Sequence, residues 1–259
     1  MTTNQEKPIA LFLFAHQDDE FGVFAQLERE SLAGNQVYCI YATDGAATAS
    51  PAQRNAESIS VLLKLGVPRD NIFFIGQELK ITDGKLYCNT KNLIIWLTRF
   101  LDDKKTISSC YVPAWEGGHP EHDMLHAITI LLMERCNKLA SVRQYSLYNG
   151  FGVSGSFFRV MSALKENGAV ESLYIPWRSR IKYLRLCLSY PSQWKTWMGL
   201  FPFISMKLLY QGSQQLQPVK IERLESPPHY GRLYYERRSF AEWQDFKKEL
   251  EKTKKIINT

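Results

Sequence analysis

The chain has 259 residues, 45% of them apolar and 13% aromatic, which excludes wholesale disorder and leaves room for one large α/β domain or two small ones. A formal net charge of +6 is a mild basic excess. With no arginine-rich run, zinc-finger spacing or RNA-binding aromatic signature, it reads as a solvated surface, and no nucleic acid partner is expected.

Five scattered cysteines without a CxxC pair read as reduced thiols and exclude a disulfide framework. The first 20 residues lack the apolar run and cleavage site of a signal peptide. No stretch approaches the ~18 uninterrupted apolar residues of a membrane span. The expectation is a soluble, cytoplasmic chain.

Ile9 to Phe14 is a short apolar run that suits a parallel strand buried on both faces. Phe21 to Leu32 carries Val23, Phe24, Leu27 and Leu32 at roughly helical spacing and ends at Gly34-Asn35. Val37 to Ala42 reads as a second strand, closed by Thr43-Asp44-Gly45. Ser50-Pro51 has the form of an N-cap followed by a first-turn proline, and Gly66 is placed to cap that helix after Leu65. A third strand over Ile72 to Ile75, a helix over Asn92 to Leu101 and a fourth strand over Ile107 to Val112 follow. A helix from about His122 to Lys138 and a strand around Tyr145 to Tyr148 complete the first half. This alternation predicts an α/β fold, Rossmann-like, with a mostly parallel sheet and helices on both faces.

Past residue 150 the rhythm changes. Phe151 to Gly168 is rich in Gly and Ser, and Tyr190 to Tyr210 concentrates aromatics and methionine with two lysines. That segment fits a lid, a membrane-surface element or a helical hairpin packed on the sheet. A proline-marked loop, a short strand and a charged helix close the chain. The organisation expected is a single domain over 1–259, with a core to about residue 150 and a C-terminal elaboration after it.

The chemistry gathers in two turns. In open α/β sheets, ligands bind beyond the carboxyl ends of strands. His16, Asp18, Asp19 and Glu20 lie just past the first strand; WEGGHPEHDMLH, Trp115 to His126, lies just past the fourth. Four of the five histidines therefore fall in two strand-to-helix turns. A helix N-terminus favours acidic residues through its dipole, but that does not account for His16. Imidazole and carboxylate together suit a borderline metal such as Zn²⁺, held by three protein ligands with an open position. His119, His122 and His126 compete for the third place, and His122 and His126 are spaced i, i+4.

AHQDDE together with GGHPEHD resembles the LmbE-like, or PIG-L, superfamily of zinc-dependent N-acetyl-sugar deacetylases, whose motifs run AHPDDE and HPDH or HxxH. The likeness extends to TDG at Thr43 to Gly45, to Arg54 and Glu57 in RxxE spacing, and to LGV at Leu65 to Val67. It covers roughly Pro8 to Gly150. The resemblance implies one zinc ion per chain on His16, Asp19 and His122, with Asp18 as general base. A protonated His119 would polarise the acetyl carbonyl or protonate the leaving amine. Glu121 would orient a histidine, Arg54 would contact a substrate hydroxyl or phosphate, and Asp44 and Glu20 would shape the pocket. His126 is left structural. Gln17 stands where the family has proline, and Glu121 where aspartate is common.

The implied reaction is hydrolysis of the N-acetyl group of an N-acetylglucosamine-type sugar or its conjugate, with release of acetate. The substrate could be lipid- or nucleotide-linked, with peripheral membrane contact through Tyr190 to Tyr210. A two-metal phosphoesterase would need more ligands, for which Asp123 and His126 are available. A carbohydrate-binding protein has no use for Asp18. A dinucleotide-binding oxidoreductase lacks GxGxxG after the first strand.

Overall fold

The computed structural model describes residues 7–47, 49–104 and 106–259. Among the described residues there are nine strands: β1 Ile9–Phe14, β2 Gln36–Tyr41, β3 Ile72–Phe73, β4 Ile107–Pro113, β5 Val142–Tyr145, β6 Tyr148–Asn149, β7 Arg159–Val160, β8 Glu171–Tyr174 and β9 Ser213–Pro218. The helices are α1 Phe24–Leu32, α2 Pro51–Lys64, α3 Ile75–Glu78, α4 Thr90–Asp103, α5 Pro120–Arg135, α6 Trp177–Cys187, α7 Trp194–Met206, α8 Tyr234–Arg237 and α9 Trp243–Asn258.

Seven strands form one sheet in the order β3-β2-β1-β4-β5-β9-β8. The first five are parallel, while β9 and β8 extend the sheet antiparallel. Every residue of β1 is buried, and its side chains alternate between two apolar clusters. Ala10, Phe12 and Phe14 join α1, α2, α6 and α7 on one face; Ile9, Leu11 and Leu13 join α4, α5 and α9 on the other. A strand covered on both faces has no need of polar alternation, which is why this run is apolar throughout.

The caps read from the sequence are in place. Ser50 accepts the Gln53 amide at the start of α2, and Gly66 takes a left-handed φ of 88° after its end. Three sequence expectations are revised. The third strand stops at Phe73 and the chain turns into α3. The strand expected around Tyr145 to Tyr148 lies earlier, over Val142–Tyr145, and Tyr148–Asn149 instead pairs with β7 in a separate ribbon. The short strand expected between the proline-marked loop and the C-terminal helix does not form; the turn α8 lies there, its first amide groups tied to the Gly117 carbonyl. The Tyr190 to Tyr210 segment is a helix packed beside α6, its buried Trp197, Leu200 and Ile204 in the cluster shared with β1. Among the described residues no helix is long and apolar enough to cross a membrane.

From β1 the chain steps outward through β2 to β3, whereas β4 and β5 build the opposite side. The switch point therefore lies between β1 and β4, where two successive crossovers leave a crevice. The two acid/histidine turns flank it.

Candidate metal centre

Asp19 begins a turn of 3-10 helix in the loop that follows β1, and its Oδ2 accepts the amides of Ala15 at 2.9 Å and His16 at 2.8 Å. The loop thus fixes the carboxylate and leaves Oδ1 facing His122 Nε2 at 3.1 Å. His16 Nδ1 lies 3.2 Å from the same nitrogen. Two imidazole nitrogens and one carboxylate oxygen converge here, all buried and within 4.8 Å of one another. That donor set, with two imidazole nitrogens turned at each other, fits a divalent cation of the zinc type.

The position of His122 depends on the second turn. Gly117 adopts φ 70°, and a side chain at Gly118 would strike the Tyr148 carbonyl oxygen. The backbone therefore passes where only glycine fits. Asp123 accepts the amides of Glu116 and Gly117, closing the loop onto α5. Glu116 in turn accepts the amides of Leu147 and Tyr148 and the Asn149 side chain, locking this turn to the next. Residues Pro120 to Ile130 are buried without interruption, so α5 carries its polar side chains only because each has work in a hydrogen-bonded network.

Glu121 reaches His16 Nε2 at 2.6 Å with one oxygen and accepts the Leu86 amide at 2.7 Å with the other. A carboxylate on the ring nitrogen opposite the cation side fixes the tautomer and raises the basicity of the ligand. The extra methylene relative to aspartate therefore finds its use. His16, His119 and Glu121 also form a close group, but Glu121 is already spent on His16 and Leu86, and His119 Nδ1 accepts the Glu121 amide. Among the described residues, both potential metal groups share His16, and neither contains His126 or Asp123. His126 is turned away, bonded to the Pro113 carbonyl at 2.9 Å. A two-metal arrangement using these residues is not assembled.

Asp18 has φ 129°, a left-handed conformation that a non-glycine residue adopts only under external constraint. Glu20 supplies the constraint by accepting the Asp18 amide at 2.8 Å while holding the Tyr41 hydroxyl. Burial, with Asp19 and Glu20 close by and Arg54 opposing, pushes the Asp18 carboxyl up to about 7. Burial also works against ionised Asp19, yet His122 and His16 hold its carboxyl well below the usual range. The two adjacent aspartates thus separate into an anchored anion and a carboxyl poised near neutrality. Burial, reinforced by His16, pushes His119 down to about 3, so the imidazole is neutral rather than protonated as the sequence suggested. Because Nδ1 accepts an amide, its proton sits on Nε2.

Arg54 is buried and divides its guanidinium among the Gly45 and Gln17 carbonyls, both at 2.6 Å, Asp83 at 3.2 Å and Asp18 at 3.4 Å. It lines the pocket but holds the loop, so little of it is left for a substrate phosphate. Asp44 accepts the Ala46 and Asp83 amides and supports the loop from behind. Gln17 donates to Asn55 at 2.8 Å, a tie to α2 that proline cannot make, and its side chain occupies the space a Cβ on Gly45 would need.

Sequence reading missed Asp83, which stands 3.5 Å from His16 and bridges it to Arg54. It also missed the aromatic walls. A cavity of about 480 Å³ over the centre is lined by Phe21, Tyr148, Phe158, Tyr234 and Phe240, with Lys195 and Arg238 among its polar groups. Trp115, Tyr190, Trp197 and His229 are buried outside it, and Trp194 is exposed. Aromatic composition gives no sign of which rings face a cavity.

Fold and site together define an α/β protein with a candidate metal centre at the switch point of its sheet. Residues 11–133 match the PIG-L family, described as GlcNAc-PI de-N-acetylase. Comparison with curated proteins finds no match. Among solved structures it is similar to the zinc-inhibited form of teicoplanin deacetylase, with 15% identity and a TM-score of 0.59 over 82% of this chain and 98% of that one. It is also similar to the N,N'-diacetylchitobiose deacetylase from Pyrococcus horikoshii bound to an inhibitor, with 14% identity and a TM-score of 0.57 over 82% and 84% of the two chains. The antimicrobial reagent A40926 pseudoaglycone deacetylase is a third, at 14% identity and a TM-score of 0.57, over 83% and 98%. At these identities the likeness establishes the fold.

Proposed function

We infer that this chain hydrolyses the N-acetyl group of an N-acetylglucosamine-type amino sugar or its conjugate, using a zinc ion on His16, Asp19 and His122. The family match and the deacetylases among its structural relatives support the reaction class. One observation carries the assignment of roles. A buried three-donor centre has beside it a carboxyl and an imidazole that are not needed as ligands and that both line the same cavity.

Zinc bound there would supply Lewis acidity, which polarises a carbonyl oxygen and lowers the pKa of water. Asp18 takes the proton of the attacking water, as a carboxyl near neutral pKa is suited to do. The water oxygen bonds to the acetyl carbon. His119, neutral with Nε2–H as donor, supports the oxyanion that develops, a contribution typically of about 3 kcal/mol per donor. The C–N bond then breaks as the nitrogen receives the proton from Asp18, leaving acetate and a free amino sugar. Phe240 packs on His119 at a centroid distance of 5.3 Å, and Tyr148 lies edge-on to His122 at 5.6 Å.

The test is acetate release across free, nucleotide-linked and lipid-linked N-acetylhexosamines, before and after zinc is removed by chelation and restored. Chelator-sensitive release from at least one of them is expected. Stoichiometric zinc without acetate from any of them would overturn the reading.

A further inference from the structure

The net charge of the whole molecule is concentrated in one segment. From Ser172 to Ile221 the chain holds seven Lys and Arg and no Asp or Glu, which leaves 25 basic against 26 acidic residues elsewhere. This segment contains α6 and α7. The two helices lie antiparallel, closed at one end by Arg180, which bonds the Ile175 carbonyl at 2.7 Å and the Leu209 carbonyl at 3.1 Å and stacks on Trp177.

Burial in the sheet-facing cluster uses Tyr183 and Leu186 of α6 and Trp197, Leu200 and Ile204 of α7. An ordinary surface helix then turns a polar face outward. Here α7 turns out Trp194, Met198, Phe203 and Met206, followed by Tyr210, which is 84% exposed. Arg178, Ile181, Arg185 and Leu188 alternate along the outer side of α6, all exposed. Arg178, Arg185 and Lys195 have no carboxylate within 4.0 Å among the described residues; of the exposed cations on this side, Lys182 alone is paired, with Glu28. Apolar rings and methionines flanked by unpaired cations, with no anion between them, complement a surface that is apolar at depth and negative at its rim.

We propose that the outer face of α6 and α7 docks on a membrane surface containing anionic lipid. Aromatic side chains suit the headgroup boundary, where one end of the ring is dry and the other wet. Lysine and arginine each add attraction to an anionic leaflet. An apolar helix face of this length lies in the interface plane and does not span it. Docking would also orient the active centre, because Lys195, Thr196 and Gly199 of the same helix line the cavity over the metal site. A second cavity of about 380 Å³, lined by Phe158, Phe203, Met206 and Tyr210, shares Phe158 with the first. The proposal stands on the surface alone and does not depend on the reaction assigned to the centre.

The experiment is co-sedimentation of the full chain with phosphatidylcholine vesicles with and without 30% phosphatidylglycerol, at low and at 0.5 M salt. Binding to the anionic vesicles that fades at high salt is expected. Arg178→Glu combined with Arg185→Glu should weaken it by tenfold or more, each cation near such a surface being worth roughly fivefold. Trp194→Ser with Met198→Ser should abolish it at moderate salt. Neither pair lines the pocket, so both variants should keep circular dichroism and acetate release from a soluble substrate, which separates lost docking from lost folding. Absence of binding by the wild type, equal binding to neutral and anionic vesicles, or unchanged binding by both variants would overturn the proposal. So would retention on heparin or nucleic acid in its place.

Discussion

The two ends of the active cleft are built on opposite principles. On one side, the turns after β1 and β4 hold every group of the metal-type centre, each fixed by hydrogen bonds: Asp19 by two amides of its own loop, His16 by Glu121 of α5, Asp18 by Arg54 of α2 and by Glu20. On the other side, α7 and the α8 region supply apolar walls and two cations, Lys195 and Arg238, with few polar ties to the first side. Cross-bonded polar residues fix a geometry to fractions of an ångström, as bond making requires. Rings and long side chains shape a space and tolerate exchange. The difference teaches that chemistry and selectivity are carried by separate parts of this chain, and substitutions on the two sides should behave differently.

The largest effect is expected at the centre itself. His122→Ala removes one of three donors, and the purified protein should lack stoichiometric metal and lose acetate release entirely, as a metal analysis run beside the assay will show. A variant with full zinc content would break the ligand assignment. Asp18→Ala should leave metal content intact and lower kcat by about 10²–10⁴-fold, the usual contribution of a positioned general base. The contrast between these two neighbours is the sharpest check that Asp19 holds and Asp18 moves protons. Glu121→Gln is expected to be milder. It keeps the contact to His16 but not the charge, and metal affinity should fall by about 10- to 100-fold in a chelator competition, with little loss of thermal stability.

That contrast also explains what could be read from the sequence. His16, Asp18 and Asp19 were visible because they closely follow an unbroken apolar run, and His119 to His122 because they follow a Gly-Gly turn. Strands β1, β2 and β4 were legible for the same reason, whereas the strand expected around Tyr145 to Tyr148 lies earlier, at Val142–Tyr145. β9 was not legible, since SQQLQP has no apolar periodicity. Its polar residues are buried with partners instead: Gln214 accepts the amides of Ala25 and Gln26, and Gln217 donates to the Leu164 and Gly168 carbonyls. A strand stabilised by side-chain amides looks like a loop to any hydrophobicity rule. Asp83 was hidden in a turn whose composition is unremarkable, and its role comes entirely from the Asp44 carboxylate that receives its amide. Likewise Tyr148 and Phe158 reach the cavity through the β6–β7 ribbon, a pairing across ten residues that no local signal announces.

The smallest effect separates the two sides most directly. Arg238 lines the cavity from the α8 side and lies over the Phe240 ring at 5.9 Å, while Phe240 in turn packs on His119. Arg238→Ala removes a cation from the wall without touching a group that holds the metal or carries a proton. An interaction made equally with substrate and transition state raises KM and leaves kcat alone when it is lost. The expected result is therefore a KM a few-fold higher, most for acetylated sugars bearing a negative aglycone, with zinc content and kcat unchanged. Steady-state kinetics on a neutral and an anionic substrate will read this. A fall in kcat on both, at unchanged KM, would mean that the Arg238–Phe240 pair positions His119. The wall would then belong to the catalytic side of the cleft.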